Sequence, residues 1–269
     1  MKIALCQMAI AWEDKKQNFQ SAECFIKQAR DNKADMIFFP EMSFTGFSMH
    51  VEQTGETEEQ KETLSLMQHF AKTYHIAIGF GWVKLAGDGN EPEAENHYSV
   101  VDDKGELLSD YVKLHPFSYG GESQYFRRGE HAEWFTYKDH TFGMSICYDL
   151  RFPELYQYLS RKADVLVVAA NWPKRRMMHW TSLLKARAIE NQAYLLGINC
   201  TGMQEQLQYA GGSAAYSPLG ELLTEDEDAV EKETLLYVEI HQDTKQCRKD
   251  FPVKEDRRPE LYQMWEKEE

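Results

Sequence analysis

The chain of 269 residues is 42% hydrophobic and carries 30 basic against 44 acidic residues, for a net charge of -14. This hydrophobic content permits a sizeable core and argues against a disordered chain, while the negative charge argues against a nucleic-acid partner. The five cysteines include no C-x-x-C pair, which argues against a disulfide framework and a structural zinc site. No apolar run approaches the roughly 20 residues of a membrane span, and we expect a cytoplasmic protein without a membrane partner.

Strand-like and helix-like patterns alternate along the first half of the chain. Short apolar runs predict strands, and apolar residues at helical spacing predict helices. In chain order we predict a strand at 2–10, a helix at 13–34, a strand at 35–41, a helix at 58–74, a strand at 75–83, and a hairpin of strands 96–101 and 107–112 around a turn at 102–105.

The second half of the chain continues the alternation. We predict a hairpin of strands 133–137 and 140–145, a helix at 151–162, a strand at 163–171, a helix at 180–191, and strands at 193–200, 211–216, 222–223 and 235–240. Strand pairs beside β–α–β units indicate mixed sheets, in one α/β domain spanning 1–269. The polar segment 242–269 carries scattered aromatic residues, so we predict that it packs against another subunit; a frayed terminus is the alternative.

Cys147 lies where a predicted strand runs toward a predicted helix. A thiol near a helix N-terminus lies at the positive end of the peptide dipoles, so we expect a lowered pKa and a nucleophilic thiolate. A buried structural cysteine is the alternative reading. For Cys6, Cys24, Cys200 and Cys247, which lie in a strand, a helix or the tail, we favour that structural reading.

Glu41 and Lys113 each stand near the end of a predicted strand, where α/β folds assemble their sites. A carboxylate at position 41 is suited to accept a thiol proton, and an ammonium at position 113 is suited to stabilise the oxyanion formed when an amide carbonyl is attacked. A solvated loop glutamate and an edge-strand lysine are the alternatives. A cysteine–histidine hydrolase that uses His115 or His179, both in polar loops, is a further alternative.

Taken together and in this order, three segments resemble the motifs of the nitrilase superfamily of carbon–nitrogen hydrolases. They are Phe39-Pro-Glu41, Tyr111-Val-Lys113 and Ser145-Ile-Cys147-Tyr-Asp149, with further agreement at 121–122 and 151–155. The resemblance extends over nearly the whole chain, from residue 3 to about residue 262. It implies a four-layer αββα sandwich with mixed sheets and a hydrolase that acts on a small-molecule amide without a metal or another cofactor.

The resemblance also implies roles for individual residues. Glu41 would be the general base, Lys113 the cation on the oxyanion side and Cys147 the nucleophile. Glu122 would support Lys113 and help to position the substrate, and the backbone N–H of Tyr148 would donate to the oxyanion. Protomers of this family pair through their sheets and C-terminal segments, so the resemblance implies a homodimer with 242–269 at its interface.

Segments 170–176, 179–180, 185–191, 251–253 and 256–262 are similar to the ω-amidase branch of that superfamily. Members of the branch hydrolyse the terminal amide of 2-oxoglutaramate or 2-oxosuccinamate to the dicarboxylate and ammonia. Such a substrate carries a carboxylate away from its amide, so its pocket needs a cation besides Lys113.

We predict that Arg175 or Arg176 binds the substrate carboxylate, because a guanidinium makes a two-pronged contact with a carboxylate. Tyr148 and Trp172 would wall the pocket, with Asn171 as another substrate-binding residue. A solvated basic loop and aromatic core residues are the alternatives. Four other functions also stay open: another amidase, N-carbamoyl hydrolase or nitrilase activity of the superfamily, and, from a different class, a catalytically silent binding homologue.

Overall fold

The computed structural model describes residues 1–87, 89, 92–224, 231–241, 243–265 and 267. The strands are β1 (Lys2–Gln7), β2 (Met36–Phe38), β3 (Ala77–Leu85), β4 (Ala94–Val101), β5 (Leu107–Val112), β6 (Trp134–Tyr137), β7 (His140–Ile146), β8 (Val165–Ala170), β9 (Tyr194–Asn199), β10 (Thr201–Gln204), β11 (Leu207–Ala210), β12 (Ala214–Tyr216) and β13 (Thr234–Glu239). The α-helices are α1 (Lys15–Asp31), α2 (Val51–Thr54), α3 (Glu62–Tyr74), α4 (Pro153–Leu159), α5 (Met177–Asn191), α6 (Thr244–Asp250) and α7 (Pro259–Trp265). Single 3-10 turns lie at Ser118–Gly120, Glu122–Gln124, Cys147–Arg151 and Lys174–Arg176.

The described strands form two mixed sheets and a separate hairpin. The first sheet has the order β13-β1-β2-β3-β4-β5, with β1, β2 and β3 parallel to one another and the outer strands antiparallel. The second has the order β12-β9-β8-β7-β6, with β7, β8 and β9 parallel. The hairpin pairs β10 with β11.

The two sheets pack face to face, and helices cover their outer faces. Alternate residues of β1 show this, because Ile3 and Leu5 join a core with β7 and β8, whereas Ala4 and Cys6 join a core with α1 and α3. On the far side, α4 and α5 pack on the second sheet. The predicted four-layer αββα sandwich with mixed sheets is therefore confirmed.

Most of the predicted elements are present, and the differences lie at their ends. Residues 222–223 do not form the predicted strand; Leu222 makes only an isolated bridge with Tyr216. The predicted first strand ends at Gln7, and the predicted helix at 58–74 begins at Glu62. The hairpin of β10 and β11 was not predicted, because its sequence, Thr201-Gly-Met-Gln-Glu-Gln-Leu-Gln-Tyr-Ala210, is largely polar.

The C-terminal segment contacts the body of its own protomer. The Arg248 guanidinium donates to the main-chain oxygen of Ala163 at 2.9 Å, and the Lys254 ammonium donates to that of Ser160 at 2.6 Å. Within the described ranges, no helix is both long and apolar enough to cross a bilayer. Residues 242, 266, 268 and 269 of the predicted interface segment lie outside those ranges.

Candidate active site

A buried ionic cluster lies where strands of the first sheet end. Lys113 follows β5 directly, and its ammonium donates to Glu41 Oε1 at 2.7 Å and to Glu122 Oε2 at 2.8 Å. All three side chains are fully buried. The structure thus brings together three of the residues that the sequence singled out. A buried cation with two carboxylates keeps its charge only because each charge is paired and hydrogen-bonded.

The pKa values of the cluster follow from this pairing. Burial alone lowers the pKa of Lys113, but the charges of Glu122 and Glu41 outweigh it and hold that pKa above its ordinary value. The pKa of Glu122 lies above its ordinary value. Burial and the nearby charge of Glu41 raise it, and together they outweigh the opposing effect of Lys113. Lys113 is therefore a permanent cation in this site at neutral pH.

Asn96 belongs to the cluster, although the sequence analysis did not single it out. Its Nδ2 donates to Glu41 Oε1 at 2.8 Å and to Glu122 Oε1 at 3.0 Å. It lies opposite Lys113, since β4 pairs with β5 and the Lys113 N–H donates to the Asn96 carbonyl at 3.0 Å. A β-bulge between Val100 and Val101 shifts the pairing by one residue, so pairing outward from the predicted turn would place Val112, not Lys113, opposite Asn96.

Cys147 lies at the end of β7, in a left-handed backbone conformation with φ of 46°. Its side chain is 9% exposed and opens onto a pocket. We expected a lowered pKa, and this was wrong: burial raises the pKa of the thiol well above its ordinary value, the charge of Glu41 adds to the rise, and Lys113 opposes it. Desolvation outweighs the dipoles of a 3-10 turn only five residues long.

Asp149 fixes the turn that carries the thiol. Its carboxylate accepts from the Ile146 N–H at 2.9 Å, the His115 N–H at 3.0 Å, His115 Nδ1 at 2.7 Å and the Tyr111 hydroxyl at 2.7 Å. These contacts join the end of β5, which bears Lys113, to the Cys147 turn. In the sequence, Asp149 stands out only as part of a motif, because Tyr111 and His115 are distant from it along the chain.

The two candidate histidines have other partners. The His115 ring stacks on Phe152, with centroids 3.8 Å apart, while its Nδ1 contacts Asp149. The His179 Nδ1 accepts from the Arg151 guanidinium at 3.3 Å. The groups that act most strongly on the Cys147 thiol are instead carboxylates and an ammonium. This geometry favours Glu41 over a histidine as the partner of Cys147.

A pocket with about 460 Å³ of empty space, partly open to solvent, leads to the Cys147 thiol. The predicted substrate-binding residues all line it: Tyr148, Asn171, Trp172, Arg175 and Arg176. The residues that the sequence analysis missed are Phe47, Phe117, Arg151, Pro173, Leu207 and Tyr209.

The charges around this pocket are of one sign. Arg151, Arg175 and Arg176 line it, and no aspartate or glutamate is among the described lining residues. The Arg176 guanidinium lies 5.2 Å from the centroid of Phe117 and 5.5 Å from that of Tyr119. Rings of this kind hold a guanidinium in place without neutralising its charge. The pocket is therefore suited to an anionic ligand.

Within the described part of the chain, no group of three or more His, Cys, Asp or Glu side chains is placed to hold a metal ion. The chemistry that the site offers is a thiol beside a carboxylate and an ammonium. That set is suited to nucleophilic attack with proton transfer and charge stabilisation.

Comparisons with known proteins agree with this geometry. The chain is 31% identical over 262 residues to the 2-oxoglutaramate amidase of Bacillus subtilis (strain 168), covering 97% of this chain and 98% of that one. It is 31% identical over 266 residues to a "Hydrolase in agr operon" of Staphylococcus aureus, covering 97% of this chain and all of that one. The crystal structure of XC1258 from Xanthomonas campestris, described as a CN-hydrolase superfamily protein, is 26% identical, with a TM-score of 0.86 over 96% of this chain and 97% of that one.

The sequence model of the carbon-nitrogen hydrolase family matches residues 2–249. This match covers most of the chain and includes every residue of the ionic cluster, the Cys147 turn and the pocket. The chain therefore belongs to the carbon-nitrogen hydrolase family and is a hydrolase that acts on amides.

Proposed function

We propose that this protein hydrolyses the terminal amide of a small 2-oxo dicarboxylic acid monoamide, such as 2-oxoglutaramate, to the dicarboxylate and ammonia. The observation that carries this proposal is the charge of the pocket, where three arginines and no described carboxylate surround the entrance to Cys147. A free carboxylate on the substrate would complement that charge. The name of the Bacillus subtilis relative, 2-oxoglutaramate amidase, supports the same substrate class.

The residues that line the pocket support a short substrate that carries both a carboxylate and an amide. Cys147 lines the same pocket as Arg175 and Arg176, which lie in the loop after β8. A guanidinium held by aromatic rings binds a carboxylate through two parallel hydrogen bonds. Such binding places the far end of a short substrate, its amide carbonyl, at the thiol.

The first half of the proposed reaction forms a thioester. The Cys147 thiol gives its proton to Glu41 while its sulfur attacks the amide carbon, and the carbonyl oxygen becomes an oxyanion. Lys113 and the backbone N–H of Tyr148 stabilise that charge. Glu41 then gives its proton to the amide nitrogen, the C–N bond breaks, and ammonia leaves.

The second half consumes one water molecule. Glu41 takes a proton from the water as its oxygen attacks the thioester carbon, giving a second oxyanion. The C–S bond breaks, the carboxylic acid leaves, and Glu41 returns its proton to the Cys147 sulfur. Two lower barriers replace direct attack of water on a resonance-stabilised amide.

The raised pKa of Cys147 bears on the order of these events. A thiol with a pKa well above its ordinary value is protonated at neutral pH. Nucleophilic attack therefore requires a base that accepts the thiol proton while the sulfur attacks. The reaction rate should accordingly depend on the position of Glu41. Because Lys113 is a permanent cation beside Glu41, it also favours the negatively charged transition state.

The test is a panel of amides with ammonia release as the readout. We expect 2-oxoglutaramate to have the highest kcat/KM, above glutamine, an N-carbamoyl amino acid and an uncharged aliphatic amide, with no turnover by Cys147→Ala. Equal turnover of the uncharged amide would rule out an acidic ω-amide as the preferred substrate. A preference for the carbamoyl compound would identify an N-carbamoyl hydrolase. Absence of both ammonia and an acyl-enzyme mass would point to a binding protein.

We further propose, from the sequence, that the protein is one cytoplasmic domain spanning 1–269 and that it forms a homodimer. The exposed aromatic side chains of the C-terminal segment support the dimer, since Phe251 is 70% exposed and Trp265 is 53% exposed. Sedimentation of the full chain, compared with a chain that ends before residue 259, tests the role of α7 in that assembly.

A further inference from the structure

We infer that Asn171 is a positioning residue that, together with Gln204, sets the place of the Glu41 carboxylate relative to Cys147. This inference rests on the proposed role of Glu41 as the base. Asn171 directly follows β8 in the second sheet, whereas Glu41 follows β2 in the first. The Asn171 N–H donates to Glu41 Oε2 at 2.9 Å, and its Nδ2 donates to the Glu41 main-chain oxygen at 2.7 Å.

A chain of side-chain amides continues from this contact. Asn171 Oδ1 accepts from Gln204 Nε2 at 2.8 Å, and Gln204 Oε1 accepts from the Phe47 N–H at 3.1 Å. The Cys200 thiol also donates to Asn171 Oδ1, at 3.0 Å. A main-chain carbonyl only accepts and a main-chain N–H only donates, so the two ends of this chain fix the orientation of both amides.

Both ends of the amide chain lie on one segment, residues 41–47, which we call the base loop. Glu41 begins this loop and Phe47, which lines the pocket, ends it. The side chains of Asn171, Cys200 and Gln204 are at most 4% exposed. Gly46, with φ of 74°, passes so close to Gln204 that a Cβ there would lie 2.7 Å from Oε1. The loop is therefore held in one position by the second sheet and its neighbouring hairpin.

The contacts also identify the oxygen that acts as the base. Glu41 Oε1 accepts from both Lys113 and Asn96. Glu41 Oε2 has the Asn171 N–H as its only hydrogen-bond donor among the described N–H and O–H groups, so it keeps a lone pair for the thiol proton. Because Asn171 and Cys147 directly follow adjacent parallel strands, β8 and β7, a group held by Asn171 is held next to the turn that carries the thiol.

This assignment differs from the substrate contact that the sequence predicted for Asn171. Both polar atoms of its side-chain amide already have partners within the protein. A displaced base lowers the rate of proton transfer, and a misplacement of about 1 Å can cost about 100-fold in rate. Binding of the substrate does not depend on that distance, so a positioning role affects kcat more than KM.

The experiment compares Asn171→Ala, Gln204→Met and Cys200→Ser, with Asn191→Ala as a matched control. Asn191 is an equally buried amide whose Nδ2 donates to the Arg187 carbonyl, away from the pocket. We measure kcat and KM for amide hydrolysis, and the pH dependence of Cys147 alkylation by iodoacetamide, assigned by peptide mass.

We expect Asn171→Ala and Gln204→Met to lower kcat by about 10- to 100-fold with KM nearly unchanged. Alkylation of Cys147 near neutral pH should slow in the same two variants, because a thiol with a raised pKa needs the base. Cys200→Ser keeps a donor and should retain kcat. Asn191→Ala should lower Tm and leave kcat and alkylation as they are.

Two outcomes would overturn the inference. Normal kcat in both Asn171→Ala and Gln204→Met, with only Tm lowered, would make the amide chain purely structural. A raised KM with normal kcat would restore Asn171 as a substrate contact. If Asn171→Ala does not fold, Gln204→Met decides alone.

Glu41→Gln, assayed in parallel, separates this inference from the proposed function. If Glu41→Gln keeps normal kcat and alkylation, Glu41 is not the base and the inference falls with that role. If Glu41→Gln is inactive while Asn171→Ala and Gln204→Met are normal, Glu41 stays the base and only the positioning role is wrong.

Discussion

The Tyr111 hydroxyl donates to the Asp149 carboxylate at 2.7 Å, and this bond joins the two sheets at the active site. Tyr111 lies in β5, two residues before Lys113, and Asp149 lies two residues after Cys147. Lys113 and Cys147 are therefore connected through a short, buried hydrogen-bonded path. Removing either partner should disturb the distance between them.

Asp149→Asn should lower both stability and activity, because an asparagine cannot accept from all four of the donors that Asp149 serves. A hydrogen bond to a charged group is worth about 1.5–3 kcal/mol, and we expect a fall of that size in the free energy of unfolding in urea. Tyr111→Phe removes a single donor to the same carboxylate and should cost an amount at the low end of this range, about 1.5 kcal/mol. Equal stability of Asp149→Asn and the unchanged protein would contradict this account.

Lys113→Met should abolish activity and strongly destabilise the fold, because it leaves the Glu41 and Glu122 carboxylates buried without a cation. Breaking a buried pair by removing one partner costs about 3–5 kcal/mol. Lys61→Met breaks the exposed pair with Glu58 and serves as the control, with an expected change below about 1 kcal/mol. Urea denaturation at pH 7 measures the free energy of unfolding of both variants. Similar decreases in the two would show that removing the buried cation costs no more than removing an exposed one.

Arg176→Gln should reduce kcat/KM for an acidic ω-amide more than Arg175→Gln does. The rings of Phe117 and Tyr119 hold the Arg176 guanidinium in place, whereas Arg175 is exposed. Loss of a charged hydrogen-bonded contact of about 1.5–3 kcal/mol corresponds to about 10- to 100-fold. An uncharged amide should be affected little, and Arg161→Gln, an arginine on Tyr158 outside the pocket lining, should have no effect on either substrate. A uniform loss over both substrates would argue against carboxylate binding.

Lys254 should make the stability of the protein depend on pH. Burial, together with the charges of Arg248 and Arg257, lowers the pKa of Lys254 to about 7. Since an unfolded lysine has a pKa of about 10.4, the unfolded chain binds the extra proton between these two values, and this contribution to stability rises with pH across that window. Below pH 7 the lysine is charged in both states and its burial is unfavourable. We expect urea denaturation at pH 6, 8 and 9.5 to show that the free energy of unfolding of the unchanged protein increases relative to that of Lys254→Met as pH rises. A constant difference would contradict the lowered pKa of Lys254.

Much of the fold could be predicted from the sequence because its elements are local patterns. The alternation of apolar runs with helical stripes identified β1 to β9 and the main helices, and the turn at 102–105 identified the hairpin of β4 and β5. The bulge between Val100 and Val101, which sets the register of that hairpin, was not predicted. The hairpin of β10 and β11 was not predicted, because its strands flank the pocket and consist largely of polar residues. Its Gln204 is buried only because the base loop packs against it.

The sequence by itself determined which residue types meet at the site: a glutamate, a lysine and a cysteine, each near the end of a strand, in an order that a family shares. Only the tertiary structure decided how they act. Asn96, Asp149 and Asn171 hold that group through donors and acceptors from distant parts of the chain, which no spacing along the sequence reveals. The pKa of Cys147 was likewise predicted in the wrong direction, because desolvation depends on everything that surrounds the thiol, whereas the dipole argument used only its nearest neighbours.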